Sequence, residues 1–418
     1  MKNHYRFRII SLFLIFLVVS GIAQNDSYLV LVSFDGFRYD YPDIAETPNL
    51  DRLAREGVKA ASLRPIFLTK TFPNHYAIAT GMYAENHGIV SNRFRDPEWD
   101  EVYKLSDRSV LQNAKWYGGE PIWVTAEKQG VKTASYYWVG SEAPIGEKLP
   151  SYLFYYDQDV PFSDRVEQMV TWLEMPPEER PHLILLYFHQ PDWTGHEYGP
   201  NSPETRRIVE QADSTLGLIL TALDTLEVGG DVNLMICSDH GMSEVTAERL
   251  IFLEDYINVA DFELSGSDPF TFVAQIEDGP SLVSAADRLR RAHPHLQVYL
   301  KNEFPERWHY QDNRRIPDLL LLADDGWYIV SSREEASKLW MLKKNQNAVW
   351  GTHGYDNKYK SMHAIFYARG RAFRTGYAMK TFTNVHIYPL IAEILGIEPY
   401  SEIDGNLDSV RVMLNDYE

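Results

Sequence analysis

Three uninterrupted apolar runs are the sequence feature that most constrains the fold of this chain. They are YLVLVSF at 28–34, LILLYF at 183–188 and VNLMICS at 232–238. A strand that is apolar on both faces must be covered on both sides, which is typical of the buried strands of a parallel sheet. Segments with helical signals separate the runs, so strands and helices alternate along the chain. We therefore expect an α/β fold with a mostly parallel central sheet and helices on both faces.

The helical segments carry recognisable start signals. Thr47 before a proline, Ser163, and Ser202 before Pro-Glu are each typical of the residue that caps a helix N-terminus. The predicted helices cover 47–57, 163–175, 202–226 and 384–396. Two further runs, ASYYWVG at 134–140 and HAIFYARG at 363–370, are predicted to be strands.

One segment, 258–345, departs from this organisation. It has strand–helix–strand material of its own, in FTFVAQI, SLVSAADRLRRAH and LQVYL, together with aromatic loops. We interpret it as a smaller α+β lobe inserted between two parts of the main domain, 24–257 and 346–418. With 418 residues, 44% of them hydrophobic, the chain is long enough for a large core.

The N-terminus predicts export. Lys2, Arg6 and Arg8 precede an apolar run, and small residues follow it up to Ala23. This is the pattern of a secretory signal peptide, which we place at 1–23. We expect no transmembrane span after its removal, and a periplasmic or secreted protein. The single cysteine, Cys237, lies in an apolar run and is expected in the core.

The net charge of the chain limits the classes of molecule that it is expected to bind. The formal net charge is −19, and no long run of lysine or arginine is present. A general nucleic-acid binder is expected to show a basic face. We therefore expect no stable complex with a nucleic acid.

Polar side chains follow all three apolar runs. Asp35 comes directly after the first, Asp192 and His196 follow the second, and Asp239 and His240 follow the third. In open α/β sheets, ligands bind beyond the carboxyl ends of the strands. With His353, between two glycines of GTHGYDN, the set is large enough for two divalent ions. Mixed nitrogen and oxygen ligands suit zinc. The alternative for each single aspartate is a turn or cap residue.

Thr71, in FLTKTFPNHYAIATG, has the position of a reactive residue without an evident base. A threonine hydroxyl needs a base, a shifted pKa or a metal to become a nucleophile. His75 is four residues away, within the predicted helix. A bound metal would favour the alkoxide of Thr71, which can also complete a metal's coordination shell. The alternative is that Thr71 only caps the N-terminus of the helix. The backbone N–H groups at such a helix start favour a bound anion.

Six motifs in this order resemble the nucleotide pyrophosphatase/phosphodiesterase family of the alkaline phosphatase superfamily. They are VSFDGFR (32–38), TKTFPNHYAIATGMYAENHGI (69–89), GGEPIWVTAEKQG (118–130), PDWTGHEYGP (191–200), SDHGM (238–242) and GTHGYDN (351–357). Any one of them is weak, whereas six in order across nearly the whole mature chain are specific. The resemblance implies an alkaline phosphatase-like fold and a phosphodiesterase with two Zn²⁺ per chain and a covalent phospho-threonine intermediate.

The resemblance also assigns roles to residues. It places Asp192, His196 and His353 around one zinc ion, and Asp35, Thr71, Asp239 and His240 around the other. It makes Thr71 the nucleophile. Asn92, in VSNRF, matches the asparagine that hydrogen-bonds a non-bridging phosphate oxygen; without the resemblance, we would interpret it as a turn residue.

Four residues are expected to contact the substrate: Phe72, Asn92, Tyr156 and Tyr187. Phe72 and Tyr156 match the aromatic pair that sandwiches a nucleobase, although buried core aromatics are the alternative interpretation. Tyr187 is expected near the site because it lies five residues before Asp192. We expect a small nucleotide substrate, cleaved to a nucleoside 5′-monophosphate. The alternative is a choline-type phosphodiester or lysophospholipid, cleaved by the same two-metal mechanism.

Overall fold

The structure is a computed structural model that describes residues 27–265, 268–276, 278–342 and 349–415. The predicted signal peptide, 1–23, lies outside the described residues. The α-helices of the described part are α1 Pro48–Glu56, α2 Thr71–Thr80, α3 Ala84–His87, α4 Arg108–Leu111, α5 Ile122–Lys128, α6 Phe162–Leu173, α7 Asp192–Tyr198, α8 Pro203–Thr225, α9 Leu282–Leu289, α10 Arg333–Leu342 and α11 Ile387–Leu395.

The strands occur both between these helices and in hairpins. They are β1 Tyr28–Phe34, β2 Val58–Ala60, β3 Leu63–Arg64, β4 Arg93–Asp96, β5 Glu101–Lys104, β6 Thr133–Tyr136, β7 Tyr152–Phe154, β8 Leu183–Phe188, β9 Val232–Cys237, β10 Ser243–Thr246, β11 Leu250–Phe252, β12 Phe262–Ser265, β13 Phe270–Gln275, β14 Leu296–Leu300, β15 Leu319–Ala323, β16 Tyr328–Val330, β17 Val349–Thr352, β18 Phe366–Arg369, β19 Tyr377–Met379 and β20 Phe382–Thr383.

The central sheet has eight described strands in the order β19-β2-β18-β9-β1-β8-β6-β7. The three apolar runs are its middle strands, with β1 pairing in parallel to both β8 and β9. The strand predicted at 363–370 is β18, which runs antiparallel to β9 and β2. The sheet is therefore mixed but mostly parallel, as expected.

Helices cover both faces of this sheet. Leu29 and Leu31 of β1 belong to a core cluster that includes Ile391 of α11. Val30 and Val32 point to the opposite face, into a cluster that includes Leu216 of α8. This alternation follows from the two-residue period of a strand, and it explains why the run has no polar face. The predicted α/β fold is confirmed.

Local boundaries differ from the predictions at several places. Ser202 caps α8 as expected, since its Oγ accepts a hydrogen bond of 3.0 Å from the backbone N–H of Thr205. Thr47 precedes α1, but its side chain makes no capping hydrogen bond. Helix α6 begins at Phe162 with Pro161 at the capping position, so Ser163 lies inside the helix and its predicted cap is wrong. The strand predicted at 134–140 ends at Tyr136.

The segment predicted as a lobe contains an antiparallel sheet in the order β12-β13-β15-β14. One face of this sheet packs with α9, through residues such as Val273, Leu289 and Leu321. The other face, with Phe272 and Leu320, joins the core cluster of the main domain. The bounds 258–345 stay a prediction. In the part of the chain that the structure describes, each helix is too short or too polar to cross a bilayer.

Candidate active site

The carboxyl ends of β1, β8 and β9 bring the predicted ligands to one edge of the sheet. Asp35 follows β1, Asp192 is the first residue of α7, and Asp239 and His240 follow β9. The backbone N–H of Asp192 donates a hydrogen bond of 2.9 Å to the carbonyl of Asp35. Gly36 allows this approach: its φ is +67°, and a Cβ there would lie 2.8 Å from Asp192 Cα.

Two groups of metal-type ligands form at this edge. In one, Asp192, His240 and His353 present ligand atoms within 4.8 Å of one another; in the other, Asp35, Asp239 and His240 do so. His196 extends the first group, since its Nε2 lies 3.4 Å from Asp192 Oδ1. His240 belongs to both groups.

Thr71 completes the set, because its Oγ1 lies 3.2 Å from Nε2 of His240. The structure therefore brings together all seven side chains that the sequence analysis placed around metal ions. They range along the chain from the residue after β1 to the residue after β17.

The hydrogen bonds of the three histidines orient one nitrogen of each ring toward the carboxylates. Nδ1 of His196, His240 and His353 lies within 2.7–2.8 Å of the backbone carbonyls of Gly351, Gly241 and Thr69, respectively. A donated Nδ1–H leaves Nε2 as the ligand atom, which is the usual arrangement of metal-binding histidines.

The carboxylates fit a cation for a second reason. Asp35 Oδ1, Asp192 Oδ1 and Asp239 Oδ2 are buried, and none accepts a hydrogen bond within the described part of the chain. Burial, followed by the charges of Asp239 and Asp192, raises the pKa of Asp35 well above its usual value. Bound cations would offset this repulsion, so the donor set fits divalent metal ions.

Thr71 is the first residue of α2, with Lys70 at the capping position, so the alternative of a plain cap at Thr71 is wrong. The backbone N–H of Phe72 donates to Oδ1 of Asn92 at 3.0 Å. Because Oδ1 accepts this hydrogen bond, the side-chain N–H groups of Asn92 remain available as donors.

His75 is a buried residue of α2 that does not serve Thr71 as a base. Its Nδ1 lies 3.0 Å from the carbonyl oxygen of Thr71 and 3.4 Å from Asp239 Oδ2. Its Nε2 lies 2.8 Å from Oγ of Ser33. Both ring nitrogens thus face groups other than the hydroxyl of Thr71, and the ring supports Asp239.

A cavity of about 570 Å³ opens over Thr71. Its walls include all four predicted substrate contacts, which are Phe72, Asn92, Tyr156 and Tyr187. The hydroxyl of Tyr187 is already engaged, since it donates a hydrogen bond of 2.6 Å to Asp35 Oδ2. Tyr187 therefore orients a candidate ligand in addition to lining the cavity.

Two ion pairs in the cavity wall were missed by the sequence analysis. Lys70 pairs with Asp268, and Arg108 pairs with Glu142. Glu142 also accepts a hydrogen bond of 2.8 Å from the backbone N–H of Tyr156. Lys70 stands beside Thr71 in the sequence, but no sequence signal pointed to Asp268 or Glu142.

Comparisons with known proteins agree on one family. The profile described as type I phosphodiesterase/nucleotide pyrophosphatase matches residues 29–356. Bis(5′-adenosyl)-triphosphatase enpp4 of Xenopus laevis is 38% identical over 388 residues, covering 92% of this chain and 81% of the relative. Human ectonucleotide pyrophosphatase/phosphodiesterase family member 5 is 34% identical over 395 residues, covering 94% and 80%.

A solved structure gives the same result. Murine ectonucleotide pyrophosphatase/phosphodiesterase 5, in an inactive form in complex with AMP, superposes with a TM-score of 0.86 at 32% sequence identity. The match covers 93% of this chain and 100% of the murine chain.

Proposed function

The chain belongs to the type I phosphodiesterase/nucleotide pyrophosphatase family of the alkaline phosphatase superfamily and is a hydrolase of phosphodiester or pyrophosphate bonds; on that premise, we propose that its substrates are nucleotides. The products are a nucleoside 5′-monophosphate and the rest of the substrate. The AMP bound to the murine relative and the triphosphatase activity in the name of the frog relative support a nucleotide substrate.

One observation carries the proposal. Oγ1 of Thr71 lies 3.2 Å from His240, and it faces a cavity whose walls also hold Phe72, Asn92 and Tyr156. A nucleophile position, a donor for a phosphate oxygen and two aromatic rings thus share one space. This combination suits a phosphate ester that carries a flat base.

Two zinc ions are the proposed cofactors. Asp192, His196 and His353 would hold one, and Asp35, Asp239, His240 and Thr71 the other. When bound, such ions stabilise charge on phosphoryl oxygens and favour the alkoxide of a coordinated hydroxyl.

The remaining steps of the reaction depend on side chains of the protein. The Thr71 hydroxyl gives up its proton to solvent and its oxygen attacks phosphorus, while the bond from phosphorus to the leaving oxygen breaks and the leaving group takes the electron pair. Water then attacks the same phosphorus, the bond from phosphorus to the Thr71 oxygen breaks, and Thr71 recovers a proton as the nucleoside 5′-monophosphate is released. The amide N–H groups of Asn92 donate to a non-bridging oxygen throughout. Phe72 and Tyr156 hold the base, a contact that contributes about 1–3 kcal/mol per stacked base.

The test is a panel of substrates on two variants of the full chain. We expect Thr71→Ala to lower turnover of p-nitrophenyl thymidine 5′-monophosphate at least about a thousandfold, because the attacking atom is lost. Thr171→Ala, at an exposed threonine of α6, is the matched control and should retain activity. Unchanged turnover by Thr71→Ala would exclude the covalent route.

The same panel tests the substrate class. The wild-type protein should cleave the nucleotide diester faster than glycerophosphocholine and faster than p-nitrophenyl phosphate. Preference for glycerophosphocholine would indicate a choline-type phosphodiesterase, and preference for p-nitrophenyl phosphate would indicate a monoesterase. Either result would contradict the nucleotide proposal.

Export to the periplasm or the medium is also proposed, from the N-terminal sequence. N-terminal sequencing of the protein recovered outside the cytoplasm should begin close to residue 24. An intact N-terminus on the mature protein would contradict cleavage of a signal peptide.

A further inference from the structure

Thr69 precedes the proposed nucleophile Thr71 by two residues and is fully buried in the loop before α2. It is absent from the cavity lining, and it is not one of the seven candidate ligands. The proposed reaction gives its hydroxyl no part, yet a buried hydroxyl needs hydrogen-bond partners. These partners lie in the loop that carries a candidate metal ligand.

Thr69 contacts three consecutive residues of the loop after β17. Its Oγ1 donates a hydrogen bond of 2.9 Å to the carbonyl of Tyr355 and accepts one of 2.9 Å from the backbone N–H of Gly354. Its own carbonyl accepts a hydrogen bond of 2.7 Å from Nδ1 of His353. Because a hydroxyl both donates and accepts, replacing it with a methyl group would remove two of these three contacts. One residue thus holds the loop that presents His353.

Asn74 fastens the backbone around Thr69 to helix α2. Asn74 is fully buried, and its Nδ2 donates hydrogen bonds of 2.9 Å to the carbonyls of both Leu68 and Lys70. These two residues flank Thr69, and Thr71 is the first residue of the same helix. The loop that contacts His353 is therefore fixed to the helix that carries the proposed nucleophile.

We propose that Thr69 is a positioning residue, which joins the loop of the ligand His353 to the nucleophile Thr71. The inference rests on the proposed function and adds to it a residue outside both the cavity lining and the ligand set. Loss of a group that orients a metal ligand typically lowers metal affinity or activity by about 10- to 100-fold. The Thr69 hydroxyl fixes the backbone directly after His353, so its loss frees the ligand without removing it.

Thr69→Val tests this role, because valine keeps the shape of threonine and lacks the hydroxyl. We expect the affinity for zinc, measured by competition with a chromogenic chelator, to fall about tenfold. With p-nitrophenyl thymidine 5′-monophosphate as substrate, kcat should fall about tenfold and KM should change little, because the cavity lining is intact. Zinc affinity and kcat equal to those of the wild type would overturn the proposal.

Two control variants separate positioning from general destabilisation. Thr69→Ser keeps the hydroxyl and should restore most of the zinc affinity and of kcat. Thr80 is a matched threonine, since it is fully buried at the other end of α2 and its hydroxyl donates 2.7 Å to the carbonyl of Tyr76. Thr80→Val should leave zinc affinity and kcat unchanged. Equal losses in Thr80→Val, or no recovery in Thr69→Ser, would contradict the positioning role.

Amide hydrogen exchange tests the same connection without a change at Thr69. In the Thr71→Ala variant, residues 66–70 contain none of the candidate ligands. Zinc should still slow exchange in 66–70 as well as in 353–355, because Thr69 joins the two loops. Slower exchange in 353–355 alone would overturn the proposal.

The outcomes for Thr69 and for the proposed function can be told apart. If the wild-type protein does not cleave p-nitrophenyl thymidine 5′-monophosphate, the proposed function fails. If the wild-type protein cleaves it and Thr69→Val has the same zinc affinity and kcat, only the positioning role fails.

Discussion

At the scale of single residues, five of the seven candidate metal ligands are held by a partner outside the ligand set. Backbone carbonyls orient the three histidines, and the Tyr187 hydroxyl donates to Asp35. The His75 ring lies against Asp239. Such partners fix the orientation of ligands, and their loss typically weakens metal binding without removing a ligand.

We expect Tyr187→Phe to lower the affinity for zinc by about 10- to 100-fold, because Asp35 loses its hydroxyl donor. This loss is measured by titrating the metal-free protein with zinc and recording turnover at each zinc concentration. Tyr152→Phe is the control, since the Tyr152 hydroxyl donates to the backbone of Glu179 on an exposed part of the chain. Equal zinc affinities in the two variants would contradict the role of Tyr187.

The candidate ligands could be predicted from the sequence because their positions at the strand ends are local. Asp35 and Asp239 directly follow apolar strands, and that position is visible in the sequence. Asp268 is different, since it is 198 residues from Lys70 and meets it only when the segment before β13 packs against the start of α2. The contacts of His75 likewise depend on how α2 lies against β1. Partners of this kind are set by tertiary packing, which no local pattern records.

At the scale of elements, apolar runs predicted the strands more accurately than capping residues predicted the starts of the helices. The predicted strand 183–188 coincides with β8. Ser163 and Ser202 were both predicted to cap a helix, but of the two only Ser202 does so, because α6 begins at Phe162 with Pro161 at the capping position. The antiparallel direction of β18 was not foreseen either, since a buried strand reads the same in both directions.

The two serines give a matched pair of variants. We expect Ser202→Ala to lower the free energy of unfolding by about 1 kcal/mol, because the N–H of Thr205 loses its acceptor. Ser163→Ala should stay within about 0.5 kcal/mol of the wild type, because its hydroxyl contacts only the neighbouring Asp164 on the surface. Urea unfolding measures both values, and equal losses would contradict the assignment of the cap.

At the scale of the whole molecule, Asp96 connects the β4–β5 hairpin to the segment before β15. Its buried carboxylate accepts hydrogen bonds from Arg314 and Arg315, of which Arg315 is also buried. Burial alone would raise the pKa of Asp96, but these hydrogen bonds outweigh it and lower the pKa to about 2. The contacts of Asp96 with the two arginines thus stabilise the packing of the hairpin against the segment before β15 while Asp96 is ionised.

We expect Asp96→Asn to lower the free energy of unfolding at pH 7 by about 3 kcal/mol, because a buried guanidinium loses its counter-ion. An unfolded aspartate titrates near 3.9. Since the folded pKa is lower, the wild-type advantage should be complete above about pH 4 and decline as pH falls toward 2.

Asp100→Asn is the control on the same hairpin, because Asp100 forms an exposed pair with Arg95 and should matter little. Urea unfolding at pH 7 and pH 3 compares the variants. If Asp96→Asn lowers the free energy of unfolding no more than Asp100→Asn does, the proposed stabilising role of Asp96 is contradicted.

The central claim is that seven distant side chains form one site for two metal ions that makes Thr71 reactive. Measuring the metal content of the purified protein by mass spectrometry, together with its turnover of p-nitrophenyl thymidine 5′-monophosphate, tests it most directly. We expect two zinc ions per chain, loss of turnover when a chelator removes them, and recovery when zinc is returned. Full turnover by metal-free protein would contradict the claim.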